Sequence, residues 1–319
     1  MNRIIVAGAS QGGVQALRTL VAGLPKDFSA PILVVLHVGA SESILPSILS
    51  DLGGLAASHA RHGEPIREGR IYVAPPDRHL LVVRDRLELS HGPRENWARP
   101  AIDPLFRTAA EWWGPAVVGV VLSGALNDGT SGLYEIKRRG GLAIVQDPAE
   151  AEAPSMPKSA LDNVPVDFRL TVSEISRLLV DLERQEARPQ RREVGASAMA
   201  TTAQRFTEPA AQTCPECGGA MRQETQGSLT RFRCHIGHVM TAEVLAAAQL
   251  EIIEQDLSVA LRSLKERVAL CDEMADKLSA KGDAAAEVWR HAGAEARRRA
   301  EEVQRLTDLD WMSPEAIGL

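Results

Sequence analysis

No stretch of this chain reaches the ~18 consecutive apolar residues that a membrane span requires, so membrane insertion is not expected. An excess of positive charge is missing as well. The formal net charge is −6, which argues against a general nucleic-acid binder. Met1-Asn2-Arg3-Ile4 leads straight into an apolar run of five residues, too short for a signal-peptide core, and the cytoplasm is the expected location. Aromatic residues make up only 4%, while the 45% hydrophobic and 24% charged fractions are ordinary for a globular protein. Cysteines number four, too few and too clustered for a disulfide framework. Three of them, Cys214, Cys217 and Cys234, share a short stretch with two histidines, which in a reducing compartment reads as metal binding.

What is present is a clear alternation. Strand signals fall at 3–8, 31–38, 70–74, 79–84, 86–90, 116–123, 142–146 and 166–170, and helix signals at 12–23, 43–52, 103–113, 130–139, 155–162 and 173–186. Ile-Leu-Val-Val-Leu at 32–36 and Ala-Val-Val-Gly-Val-Val-Leu at 116–122 are continuous apolar runs, as strands covered on both faces require. The expected fold class is α/β, a doubly wound and mainly parallel sheet. The segments 79–84 and 86–90 add an antiparallel hairpin. Four regions follow: an α/β domain over 1–183, a flexible linker over 184–212 rich in Arg, Glu, Ala, Pro, Ser and Thr, a Cys/His unit over 213–240, and helices over 241–309. Thr241 is the expected N-cap of the first of these. Leu250, Ile253, Leu257, Leu261, Leu264, Val268, Cys271, Ala275 and Leu278 alternate threes and fours along it, a coiled-coil seam. Lys281-Gly282-Asp283 breaks the pattern, and Val288, Ala292, Ala296, Val303 and Leu306 continue it. A helical hairpin or a coiled-coil homodimer is expected.

Gly8-Ala9-Ser10-Gln11-Gly12 matches the Gly-x-Ser-x-Gly nucleophile elbow. A strand ends, the chain turns sharply, and a helix begins, so the Ser10 hydroxyl projects from the strand end. The Gln11 amide then sits at a helix N-terminus, where it can donate to an oxyanion. Read alone, the same glycines also fit a phosphate-binding loop, although the Gly-x-Gly-x-x-Gly spacing is absent, or a purely structural βα turn. His37 follows strand 32–36, at the edge where open α/β sheets build their sites, or it is a histidine packed at a strand end. Asp128, beyond strand 116–122, would orient that histidine, or it belongs to an ordinary Asp-Gly turn. His59, His62, His79 and His91 have no comparable position, though His79 could line a pocket.

Cys214-Pro215-Glu216-Cys217 followed by Cys234 and His238 gives the spacing Cys-x2-Cys-x16-Cys-x3-His, which supplies the four tetrahedral N/S ligands of a structural zinc site. His238 is the preferred fourth ligand and His235 the alternative. No cofactor is expected for catalysis.

Residues 1–183 resemble, in order, the catalytic domain of the CheB chemotaxis receptor methylesterases. The resemblance is carried by Gly8-Ala9-Ser10-Gln11-Gly12-Gly13, by His37 after its strand, by Ala74-Pro75-Pro76-Asp77-Arg78-His79-Leu80, by Arg99-Pro100-Ala101-Ile102-Asp103-Pro104-Leu105-Phe106, by Leu122-Ser123-Gly124 with Asp128-Gly129, and by Gln146-Asp147 and Met156-Pro157. It implies hydrolysis of glutamate methyl esters on methyl-accepting chemotaxis receptors, often with deamidation of receptor glutamines. Ser10 would be nucleophile, His37 base and then acid, and Asp128 the orienting carboxylate, with Gln11 and Ala125 in the oxyanion and substrate region. Three features depart from the family. Its members usually carry an N-terminal receiver domain, so regulation other than by phosphorylation in cis is expected. Ala125-Leu126 replaces the Met-Gly pair of the family loop Thr-Gly-Met-Gly-x-Asp-Gly, and that Met lines the family's site. Gln11 stands where the family often has Thr. An esterase-like scaffold or regulator of a chemosensory complex is the alternative to an active enzyme, and a nucleotide-binding regulator using Gly8–Gly13 is a weaker third reading.

Overall fold

The computed structural model describes residues 2–37, 43–184, 211–280 and 284–309. Most of the expected linker and the expected break at Lys281-Gly282-Asp283 lie outside the described residues. The chain divides into two compact units, Met1–Leu245 and Ala246–Leu319.

The first unit is built on seven parallel strands in the order β3-β4-β2-β1-β7-β8-β9. These are β1 (Ile4–Ala9), β2 (Ile32–Leu36), β3 (Ala56–His59), β4 (Arg70–Val73), β7 (Val117–Val121), β8 (Leu142–Gln146) and β9 (Phe168–Leu170). Every strand pair in this sheet is parallel. Its helices are α1 (Gly13–Ala22), α2 (Leu45–Gly53), α3 (Ile102–Trp113), α4 (Thr130–Arg138), α5 (Ser155–Asn163) and α6 (Val172–Arg184).

The strand period of two divides the core between the sheet's faces. From β1, Ile5, Ala7 and Ala9 pack with Leu17, Leu20, Ile175 and Leu179 of α1 and α6. Ile4 and Val6 pack with Ile102, Phe106, Leu133 and Met156 of α3, α4 and α5. The unbroken apolar reading of β1, β2 and β7 follows from this double coverage.

The hairpin expected at 79–90 is present as β5 (His79–Val83) and β6 (Arg86–Ser90), but as a separate two-stranded sheet. It packs through Leu80, Val82 and Leu87 beneath α3. Strand β3 was not expected. Ala56-Ala57-Ser58-His59 has neither branched nor aromatic residues and is mostly half-buried at the sheet's edge, so its pairing with β4 rather than its propensity defines it.

Residues 213–241 form a three-stranded antiparallel sheet of β10 (Met221–Gln226), β11 (Leu229–Cys234) and β12 (Val239–Thr241). Helix α7 (Ala242–Ser279) follows at once. The Val244 amide donates to Thr241 Oγ1 at 3.4 Å, the N-cap geometry expected of Thr241.

In the second unit α7 pairs with α8 (Ala285–Thr307). The buried seam is Cys271 and Ala275 against Ala286, Gly293, Ala296 and Ala300. It differs from the expected seam on α8, where Val288 is 70% exposed. Small residues rather than large ones let the helices approach, with the Cys271 Cβ 3.2 Å from where a Gly293 side chain would begin.

One contact ties β1 to α3. A methyl group added at Gly8 would lie 2.4 Å from Ile102 Cγ2. Overpacking of this kind costs about 1–3 kcal/mol. Gly8→Ala is expected to lower the urea midpoint by that equivalent, and an unchanged midpoint would contradict the close packing of α3 on β1.

Candidate active site

Strand order reverses around β1: the chain passes from β1 to β2 on one side and later places β7 on the other. Such a switch point opens a crevice at the carboxyl ends of the strands. Ser10 follows β1, His37 follows β2 by way of its amide bond to the Ala9 carbonyl at 3.1 Å, and the loop 122–129 follows β7. The Ser10 amide donates to the Ser123 carbonyl at 2.9 Å, which pins the serine turn to that loop. The three sequence candidates therefore arise at one edge, from adjacent strands.

His37 Nε2 lies 2.7 Å from Asp128 Oδ2, with side-chain exposures of 22% and 3%. The same carboxylate collects further donors. Oδ2 accepts the Ile102 amide at 2.6 Å, and Oδ1 accepts Asn96 Nδ2 at 2.8 Å, the Gly129 amide at 2.9 Å and the Asp103 amide at 3.3 Å. Ile102 and Asp103 open α3, so Asp128 occupies the positive end of that helix. Burial would push its pKa up, but the His37 bond and charge, with the Ile102 and Asn96 donors, hold it below the usual carboxylate range. Asp103 stands beside it with opposite behaviour. Burial and then the Asp128 charge push Asp103 up to about 7, although it accepts the Gly132 amide at 2.6 Å and Asn96 Nδ2 at 2.9 Å. Asn96 thus donates to both carboxylates of a buried acidic pair.

On the serine side, the Ser10 hydroxyl takes no hydrogen-bond partner among the described residues. Gly124 is enclosed between Ser10 and Met156. A Cβ there would lie 3.0 Å from Ser10 Cβ and 2.7 Å from the Met156 thioether, so the loop can pass beneath the serine only as glycine. Ala125 is half-buried and Gln11 is exposed just ahead of α1. His79 is not part of it. His79 Nδ1 accepts the Ala101 amide at 3.2 Å and Nε2 donates to the Pro93 carbonyl at 3.0 Å. Burial lowers its pKa, consistent with a neutral ring holding two loops together.

Asn96 was not singled out from the sequence, and Asp103 entered only within the 99–106 segment, with no site role. Asn96 adopts φ +50°, a conformation asparagine tolerates better than most residues, but no spacing marks it. Asp103 reads as an acidic residue in the first turn of a helix, an ordinary preference.

The Cys/His unit brings Cys214, Cys217, Cys234 and His238 together, with their ligand atoms all within 4.8 Å of one another. Cys217 and Cys234 Sγ are 3.7 Å apart, and His238 Nδ1 lies 3.4 Å from Cys234 Sγ and 3.6 Å from Cys214 Sγ. A tetrahedral zinc with its usual bond lengths has edges of about 3.8 Å between sulfurs and about 3.6 Å between sulfur and nitrogen. The donor set and its size therefore fit a tetrahedral cation. His235 is exposed and lies outside the cluster.

The profile of the CheB methylesterase family matches residues 5–179. A Leptospira interrogans protein, provisionally named protein-glutamate methylesterase/protein-glutamine glutaminase, is 43% identical over 182 residues, covering 56% of this chain and 94% of that protein. The protein-glutamate methylesterase/protein-glutamine glutaminase 2 of Anaeromyxobacter dehalogenans is 40% identical over 182 residues, 57% of this chain and 53% of that protein. In structure, the chain is similar to the crystallised CheB methylesterase catalytic domain of Thermotoga maritima, with a TM-score of 0.54 and 32% identity over 57% of this chain and 99% of that one. The likeness stops short of the Cys/His unit and the helical pair. The match spans more than half of the chain and nearly all of its α/β domain, and the chain belongs to the CheB methylesterase family.

Proposed function

We propose that the chain is a protein-glutamate methylesterase and protein-glutamine glutaminase, the two activities its relatives are named for, and that its substrates are the methylated glutamates and the glutamines of chemotaxis receptors. The observation that carries this reading is the 2.7 Å contact between half-buried His37 and buried Asp128 at the strand edge that also presents Ser10.

His37 Nε2–H donates to Asp128, so Nδ1 is the nitrogen left to take a proton. In this reading Ser10 Oγ attacks the ester carbonyl as its proton passes to His37. The oxyanion is met by the Gln11 amide at the start of α1, with Ala125 beside the substrate. His37 then protonates the departing methanol, or ammonia from a glutamine. Water attacks the acyl-serine with His37 again as base, and glutamate is released. Asp128 keeps its proton off and stabilises the imidazolium formed at each step.

Cys214, Cys217, Cys234 and His238 are proposed as a closed structural zinc site. It would supply folding energy to a segment too small to hold itself together and no chemistry to the esterase. The domain limits proposed from the sequence are kept. The exposed Ile253, Val259, Leu270 and Val288 leave the C-terminal helices as the proposed homodimer surface. Among the described residues no helix is long and apolar enough to cross a membrane; a cytoplasmic location is proposed.

Ser10→Ala is expected to reduce methanol release from methylated receptor membranes by about 10³-fold or more without moving the unfolding midpoint. Equal rates for the two proteins would remove Ser10 from the mechanism. A second expectation concerns pH. Asp103 keeps its proton in the folded state up to about 7 but loses it near 4 when unfolded. The folded state then binds more protons across that window, so this group's contribution to stability falls as pH rises from about 4 to 7. Stability of Asp103→Asn relative to the parent, measured in urea, is expected to improve steadily between pH 4.5 and 7.5. A constant difference would show that Asp103 does not titrate there.

A further inference from the structure

The Cys/His unit is docked on the loop that carries Asp128. Leu126 and Trp97 pack against its small core of Met221, Phe232, Met240 and Val244. The next residue, Asn127, is 2% exposed and is held at both ends. Thr241 Oγ1 donates to Asn127 Oδ1 at 2.9 Å, and Asn127 Nδ2 donates to Glu243 Oε2 at 2.7 Å. The residue after that is Asp128. The second segment that serves Asp128 is gripped in the same way. The Asn96 amide donates to the Val239 carbonyl of β12 at 2.7 Å, while Asn96 Nδ2 reaches Asp128. Arg231 of β11 is 7% exposed, donates to Ser131 Oγ at 2.9 Å and faces Glu95 at 3.9 Å.

Leu126 shows that this docking is under tension. Its φ is +61°, a left-handed conformation that costs a bulky L-residue on the order of 1–2 kcal/mol. Left to itself the loop would be better served by glycine. A leucine persists there in contact with the apolar core of the Cys/His unit, so the strain is offset by packing outside the α/β domain.

We propose that the Cys/His unit is a clamp on the Asp128 loop, in which Leu126, Asn127 and Thr241 act as positioning residues for His37, so that a zinc-class cation in the Cys214/Cys217/Cys234/His238 cluster governs esterase turnover. The inference rests on the methylesterase reading for its kinetic arm but not for its structural one. The clamp acts through Asp128. When it slackens, the carboxylate drifts from Nε2, the His37 tautomer is no longer enforced, and Nδ1 is no longer reliably free. A misplacement of this size costs about 10–100-fold in rate. Gln11 lies on the separate β1–α1 turn, while Ala125 shares the Asp128 loop, so the larger change falls on kcat and a smaller one on KM.

The full-length protein carries the test. The proton between His37 and Asp128 is expected to give a low-field ¹H resonance, read beside kcat and KM for methanol release and beside the urea midpoint. Leu126→Gly relieves backbone strain and removes the anchor. It is expected to lose or shift that resonance and to drop kcat about 10–100-fold, with a smaller change in KM. Thr241→Val should do the same and Thr241→Ser should restore both. Stripping the metal with a chelator should erase the resonance, and adding Zn²⁺ should return it. If Leu126→Gly and the stripped protein keep the resonance and the parent kcat, the clamp is overturned. If Leu126→Gly unfolds, the Thr241 pair decides alone, and equal kcat and equal resonance in Val and Ser variants overturn it. Should the parent release no methanol at all, the esterase reading fails, and the resonance still reports whether the Cys/His unit holds Asp128.

Discussion

A fully buried carboxylate is the constraint around which the first unit is arranged. An ionised group out of water is stable only where donors replace its hydration. Asp128 takes donors from four separate places: the end of β2, the 95–97 loop, the opening of α3 and its own Asp-Gly turn. Those segments are far apart in sequence and must all arrive for the charge to be tolerated. The close packing of Ile102 on Gly8 sets α3 at the height where its first amides meet Asp128. The β1–β7 pairing sets the loop that bears it. The His37 contact is therefore a consequence of the fold's packing more than of any local motif.

The Cys/His unit belongs to the same arrangement. It lies beyond residues 5–179, the part matched by the CheB methylesterase family, yet it borders Asp128 through the 126–127 and 95–97 segments. A second acidic group, Asp103, would be costly beside Asp128 were it charged. Burial and that neighbour keep its proton on over much of the range where Asp128 is ionised, and Asn96 spans the two. With Asp128 ionised and Asp103 protonated below about 7, the histidine has a fixed partner without two adjacent buried charges over that range.

Much of this was legible in the residues. The continuous apolar runs of β1, β2 and β7 announced strands covered on both faces, and the positions of Ser10, His37 and Asp128 just past those runs placed them at one edge. The Cys-x2-Cys-x16-Cys-x3-His spacing groups the same four side chains, Cys214, Cys217, Cys234 and His238, that the fold brings within 4.8 Å of one another. What could not be read has physical reasons. Strand β3 is made of Ala, Ser and His, and only its neighbour makes it a strand. Asn96 and Asp103 matter because of what tertiary packing sets beside them. Leu126 looked like a departure in a catalytic loop, and only the docked Cys/His unit explains why a leucine sits at φ +61°. On α8, the apolar periodicity pointed to Val288, whereas the closest approach of the two helices selected alanine and glycine.

The central claim is that Asp128, ionised and fixed, keeps His37 in the one tautomer that can accept the serine's proton. Its most direct measurement is the rate of methanol release by Asp128→Asn in protein shown to be folded. An asparagine turned to donate to His37 Nε2 forces the ring proton onto Nδ1, and the base is lost. The account predicts a fall of about 10⁴-fold, and a rate within a few-fold of the parent would contradict it.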